Sequence, residues 1–123
     1  MKLLFLLSII FIFLLIPIQN SFSELDISTN SRVYSPDHTL QVYGTGLPEE
    51  NLILRLFAPD ESITKFEQIQ TNSDGTFNHQ LLTWPNPSST VPYGTYVVEV
   101  LSTEQNGLSK KIDIKFSSTT ELI

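Results

Sequence analysis

Trp84 and Tyr93 stand at the two ends of a proline- and serine-rich stretch that runs from Pro85-Asn86-Pro87 to Pro92. An exposed indole beside an exposed phenol would make a platform on which a sugar or a peptide stacks. The competing role for Trp84 is that of a plug in one open end of the fold. Asn72 and Asp74, with Asp60 or Glu61, offer oxygen ligands of the kind calcium takes. Asn72-Ser73-Asp74-Gly75 reads equally as a turn, however, and lacks the glutamate that completes an EF-hand loop, so no metal is expected. His38 and His79 are the only histidines and cysteine is absent, too few ligands for a zinc site. Glu99 and Asp113 are candidates for the paired carboxylates of glycoside hydrolysis, which face each other across roughly 5–9 Å. Lys111 and Lys115 flank Asp113, and ordinary cross-strand charge pairing explains these carboxylates better. No Gly-x-Ser-x-Gly elbow and no glycine-rich phosphate loop occurs. These residues point to binding without catalysis and without a cofactor.

The elements that must position them have a period of two. Leu52, Leu54 and Leu56 alternate with Ile53, Arg55 and Phe57; Tyr96, Val98 and Val100 alternate with Val97, Glu99 and Leu101; Ile112, Ile114 and Phe116 alternate with Lys111, Asp113 and Lys115. This is the pattern of strands with one buried face. Turn residues punctuate it at Ser35-Pro36-Asp37, Pro59-Asp60, Asp74-Gly75 and Asn106-Gly107. The spacing predicts seven strands, near residues 25–33, 39–44, 51–57, 63–70, 76–82, 94–102 and 108–117. Ile63, Phe66 and Ile69 also fit a short helical turn. Seven short strands in about 100 residues imply an all-β, two-sheet antiparallel sandwich. The outward parity carries Tyr43, Ile53, Phe57, Val97 and Leu101, which predicts an apolar face on the central strands, suited to self-association or a docking partner.

Ahead of this pattern, Met1 and Lys2 precede an apolar run, Leu3–Ile16, broken only by Ser8 and closed by Pro17. With Ser21-Phe22-Ser23 as small-residue cleavage context, residues 1–23 read as a secretory signal peptide. A retained anchor is the other reading, although fourteen to sixteen apolar residues make about 21–24 Å of helix against a roughly 30 Å hydrocarbon core. The expected layout is a signal peptide over 1–23, a sandwich over 24–117 and a flexible tail over 118–123. The expected address is secreted or cell-surface. Without Lys2 the chain carries thirteen acidic against six basic residues, with no basic cluster to neutralise phosphates, which argues against nucleic acid. Membrane contact is expected only if the N-terminal run is retained. Lacking cysteine, the domain is expected to draw its stability from packing and hydrogen bonds, with a neighbour, a metal or self-association as the further sources open to it.

Several motifs, taken in order, resemble exported prokaryotic and archaeal immunoglobulin-like modules and the second domain of macroglobulin-like proteins. Tyr34-Ser35-Pro36-Asp37 followed by Leu40, Val42 and Gly44 is similar to their opening, with Asp37 where glycine is usual. Leu54-x-Leu56-x-Ala58-Pro59-Asp60 resembles their central strand and its turn, and Asp74-Gly75-Thr76-Phe77 their Asp-Gly-x-Phe hairpin. Pro92-Tyr93-Gly94-Thr95-Tyr96-x-Val98-x-Val100 resembles the penultimate strand and Ile112-x-Ile114-x-Phe116 the last. The resemblance implies a non-enzymatic structural or interaction module, with a protein or a second copy as partner and a glycan as the alternative ligand. Read from the residues, Pro36 and Gly75 shape turns, and Gly94 lets the chain bend so that the Tyr96 hydroxyl meets the entering loop, as in a tyrosine corner.

Overall fold

The computed structural model describes residues 25–118. The signal-peptide and cleavage readings therefore lie outside the described residues, as does nearly all of the tail. Eight strands form: β1 (Asp26–Thr29), β2 (Val33–Tyr34), β3 (Thr39–Thr45), β4 (Asn51–Phe57), β5 (Ile63–Gln70), β6 (Thr76–Thr83), β7 (Gly94–Ser102) and β8 (Leu108–Phe116). They make two sheets, one of three strands ordered β1-β3-β6 and one of five ordered β2-β8-β7-β4-β5. The period-two alternation places Leu52, Leu54, Leu56, Tyr96, Val98, Val100, Ile114 and Phe116 on the inner face of the larger sheet, all buried. Leu25, Ile27, Leu40, Val42, Phe77 and Leu81 supply the opposing row from the smaller sheet and the segment leading into it. Each such aliphatic side chain contributes about 1.5–3 kcal/mol when fully removed from water. The fold is an all-β domain of two packed sheets.

Two local features differ from the sequence-based expectation, and a third, at residues 63–70, is the predicted strand rather than the alternative helical turn. The predicted first strand, 25–33, is two strands in different sheets: β1 pairs antiparallel with β3, whereas β2 pairs parallel with the end of β8, Val33 opposite Lys115 and Tyr34 opposite Phe116. Asn30-Ser31-Arg32 makes the crossing. Thr29 Oγ1 donates to Ser31 O, Ser31 Oγ donates to Val33 O, and the Tyr34 hydroxyl donates to Asn30 Oδ1. The 63–70 segment is entirely strand, since Leu52–Leu56 of β4 offers it a ready ladder. Asp74-Gly75 is a turn but not a hairpin, because β5 and β6, which it joins, belong to opposite sheets. Its local chemistry is as expected, with Gly75 at φ 86° and Asp74 Oδ1 accepting from Thr76 N and Oγ1.

Ser35-Pro36-Asp37-His38 forms the turn into β3, His38 N donating to Ser35 O at 3.1 Å. Proline in second place and a third residue at φ 73° define a type II turn. That left-handed backbone costs an L-residue about 1–2 kcal/mol relative to glycine's freedom to adopt it. Asp37→Gly is therefore expected to stabilise the fold by about 0.5–1 kcal/mol after glycine's own entropy cost, read as a rise of a few degrees in thermal denaturation.

Candidate functional site

Trp84 lies inside the fold, fully buried. It follows β6, and its backbone clasps the turn into β3, with Trp84 N donating to His38 O and Asp37 N donating to Trp84 O. Its indole stacks on Phe116 at 4.5 Å, meets Tyr96 edge-on at 4.9 Å and lies 5.8 Å from Tyr34. The ring thus plugs one end of the sandwich, the second of the two roles the sequence leaves open for it, and in this position it presents no face to a ligand. Tyr93 does reach solvent, leaning on Phe116 with ring centres 4.9 Å apart. Tyr96 Oη donates to Pro92 O at 2.6 Å, so the phenol pins the loop that carries Tyr93. Burial, followed by the charge of Asp60, pushes the Tyr96 hydroxyl above the usual tyrosine pKa.

The five outward candidates divide. Tyr43 sits on β3 of the smaller sheet, whereas Ile53, Phe57, Val97 and Leu101 lie on the outer face of the larger one. There Phe57 is opposite Val97 and Ile53 opposite Leu101, and between the two pairs runs Arg55–Glu99–Lys111. Arg55 Nε donates to Glu99 Oε1 at 2.6 Å, Nη2 makes a second contact with the same oxygen, and Lys111 Nζ lies 3.8 Å from Oε2. The Arg55 guanidinium also sits over the Phe57 ring, 5.2 Å from its centre. Four of the five outward candidates thus share one face, as two half-buried pairs separated by a charged row. Sequence parity placed these side chains on the outside; it carried no information about how a neighbouring strand would shift one row against the next.

One edge of that face is concave. A groove of about 610 Å³ is lined by Phe57, Ala58, Pro59, Glu61, Thr95, Val97, Lys111 and Asp113. Phe57 opposes Val97, and Val97 opposes Asp113, so three adjacent strands build its floor and far wall. The near wall is the β4–β5 turn. Glu61 N donates to Ala58 O and Ala58 N to Ser62 O, with Glu61 at φ 71°. This is a type I turn followed by a left-handed residue, the loop that accompanies the bulge recorded between Leu56 and Phe57. Asp60 Oδ1 takes bonds from Ser62 Oγ and N, which hold its carboxyl below the usual aspartate pKa. Pro59 in turn packs under Gly94, where an added Cβ would come within 2.7 Å of the proline ring. The groove's acidic and basic groups are thus presented by a rigid turn and by ladder strands.

The other candidates are placed elsewhere. Asn72 donates from Nδ2 to Thr76 Oγ1 and Asp74 accepts from Thr76, so both spend their polar atoms within their turn. Among the described residues no group of three His, Cys, Asp or Glu side chains could hold a metal ion. His38 accepts at Nδ1 from Ser35 N, while His79, far along the β3–β6 ladder, faces Glu67 of β5 at 3.3 Å. Asp113 and Glu99 stand on adjacent strands but in different rows, Glu99 opposite Lys111. Sequence reasoning missed Glu50, which is buried beside Ser102 at the far end of β7 from Trp84's neighbour Tyr96. Its carboxylate accepts from Leu47 N, Gln105 Nε2 and Ser102 Oγ. The signal was present, since Glu50 is in phase with Leu52, Leu54 and Leu56 on the inward row.

Fold and groove together define a two-sheet β-sandwich domain with a shaped concavity on its larger sheet. No protein-family model matches the chain, and no curated protein matches it. Among solved structures it is similar to a carbohydrate acetylesterase from Xanthomonas citri, at 16% identity and TM-score 0.43 over 68% of this chain and 15% of that one. It is also similar to a sporulation control protein from Bacillus subtilis, at 16% identity and TM-score 0.37 over 79% of this chain and 50% of that one. The chain spans half or less of the length of either.

Proposed function

We propose that this chain is an exported, non-enzymatic, immunoglobulin-like binding module that takes a carbohydrate in the groove between the β4–β5 turn and strands β7 and β8. The groove carries the reading. Phe57 and Val97 give it an apolar floor, and Glu61, Asp113 and Lys111 ring it with hydrogen-bonding groups. A sugar needs that combination, a flat apolar patch for its C–H face and charged acceptors and donors for its hydroxyls. Tyr93, on the loop next to Gly94 and Pro59, is the accessible ring of the original pair, and Trp84 stiffens the end that bears it. The immunoglobulin-like assignment is supported by the strand order β1-β3-β6 against β8-β7-β4, by the crossing of the first strand between sheets and by the Tyr96–Pro92 bond. Export is supported by the apolar run 3–16 after Lys2.

Retention of the protein on immobilised polysaccharides tests this reading. Asp113→Asn and Phe57→Ala are each expected to weaken retention about tenfold, the worth of one hydrogen bond to a charged group or one ring contact, with circular dichroism unchanged. Wild-type protein that no polysaccharide retains, or variants retained as well as wild type, would overturn the carbohydrate site. Cleavage of a retained oligosaccharide would overturn the non-enzymatic part.

A further inference from the structure

Strand β5 is the free edge of the five-stranded sheet, hydrogen-bonded to β4 on one side and, among the described residues, to no strand on the other. It is eight residues long, Ile63-Thr64-Lys65-Phe66-Glu67-Gln68-Ile69-Gln70, without proline. It also bears the two most exposed large hydrophobic side chains of the described residues, Phe66 at 58% and Ile63 at 52%. Natural sheets blunt such edges or use them.

The direction of the backbone groups follows from the ladder. Thr71 N donates to Glu50 O at 2.9 Å, one step beyond the Asn51–Gln70 pair. Hydrogen-bonded pairs alternate along an antiparallel ladder. Ile69, Glu67 and Lys65 therefore direct their N–H and C=O groups to β4, and Gln70, Gln68 and Phe66 direct theirs outward. A second strand can only dock onto the even-numbered set.

We propose that the occupant of this edge is β5 of a second copy of the chain, paired antiparallel about a two-fold axis at Phe66. In that register Phe66 exchanges both backbone bonds with its symmetry mate, Gln68 lies opposite Thr64, and Lys65 lies opposite Glu67 twice. The two phenyl rings meet on the outer face; on the other, each Glu67, already 3.7 Å from its own Lys65 and 3.3 Å from His79, gains the Lys65 of the second copy as a further partner. Neighbouring registers are worse. An axis at Lys65 sets lysine against lysine and one at Glu67 sets glutamate against glutamate, both unfavourable when directly opposed. An axis at Gln68 faces Phe66 with Gln70 and makes no charge pair. The sequence Lys-Phe-Glu is thus self-complementary at one register of an isologous contact. The joined edges make one ten-stranded sheet whose two grooves, if occupied, lie on the same continuous face.

The absence of cysteine from the chain allows a clean test. Mates in a hydrogen-bonded pair have Cα atoms about 5.5 Å apart, inside the range a disulfide spans. The full chain carrying Phe66→Cys, produced in an exporting cell and oxidised, is expected to run predominantly as a covalent dimer. The full chain carrying Gln68→Cys is expected to stay monomeric, because its thiols would stand about 13 Å apart along the strands. Adding Lys65→Glu to Phe66→Cys is expected to reduce cross-linking several-fold, and adding Glu67→Lys as well to restore it. Equal cross-linking at the two positions, none at Phe66→Cys, or indifference to charge reversal would each overturn the proposal.

Discussion

Trp84→Ala is expected to lower the unfolding free energy by about 3–5 kcal/mol, the cost of emptying a large aromatic site in a close-packed core. The indole is fully buried and touches Tyr34, Tyr96 and Phe116. Those three come from β2, β7 and β8, so one ring ties the crossing strand, the centre of the larger sheet and its last strand to the end of the smaller sheet. Small domains are stable by only about 5–15 kcal/mol, and this one has no disulfide to limit the loss. Urea denaturation followed by circular dichroism should show the midpoint fall by about a fifth or more. Trp84→Phe separates packing from polarity. The indole Nε1 is buried without an acceptor, so phenylalanine gives up volume but also removes an unsatisfied donor, and its loss should be clearly smaller than that of alanine. Equal losses would mean that the plug is held by its backbone bonds to His38 and Asp37 rather than by the ring. The same substitution bears on the carbohydrate reading, in which Trp84 makes no ligand contact: any folded Trp84→Phe protein should keep its polysaccharide retention.

What could be read from sequence divides along the same line as local and long-range physics. The alternation of Leu52–Phe57, Tyr96–Leu101 and Ile112–Phe116 fixes which side of each strand is buried, because a pleat has a period of two whatever its neighbours do. Turn chemistry was legible for the same reason: Pro36-Asp37 and Asp74-Gly75 adopt their backbones from nearest neighbours. Sheet membership was not. Residues 26–34 break because Val33 and Tyr34 find Lys115 and Phe116, more than eighty positions away, and no local pattern announces that partner. Asp74-Gly75 looks like a hairpin for the same reason that it is not one, since the turn is identical whether the strands it joins share a sheet or face each other. The site was half legible. Phe57 and Val97 were singled out by parity, but their meeting with Glu61 and Asp113 in one concavity depends on the β4–β5 turn folding back over β7 and β8. Trp84 stood between two roles, because a proline- and serine-rich stretch after it suggests exposure, whereas the three aromatic residues that receive it as a plug are distant in sequence or on other strands.

Glu50→Ala is expected to cost about 2–4 kcal/mol, although the change removes a charge from the interior. Burying a carboxylate is unfavourable in itself, and this one is held by donors on three sides. Leu47 N reaches Oε1 at 2.8 Å, Gln105 Nε2 reaches the same oxygen at 3.1 Å, and Ser102 Oγ donates to Oε2. The backbone joins in: Glu50 N donates to Thr71 Oγ1, which donates onward to Leu47 O. Alanine takes the acceptor away from Leu47 N and from the buried Ser102 hydroxyl, and each buried group left unpaired costs about 1–3 kcal/mol less whatever water can repair. Glu50→Gln keeps the shape and one acceptor oxygen, and Ser102 can turn its hydroxyl to accept from the new amide, so its loss should stay near 1 kcal/mol. Gly46 supplies the decisive control. A Cβ there would stand 2.8 Å from Glu50 Oε1, so Gly46→Ala should destabilise the wild type by forcing the carboxylate aside. In the Glu50→Ala background that clash is gone, and the two changes should sum to clearly less than their separate costs. Additive losses in urea denaturation would show that Glu50 is a bystander at this end of the sandwich and that the β3–β4 turn is held by Thr71 alone.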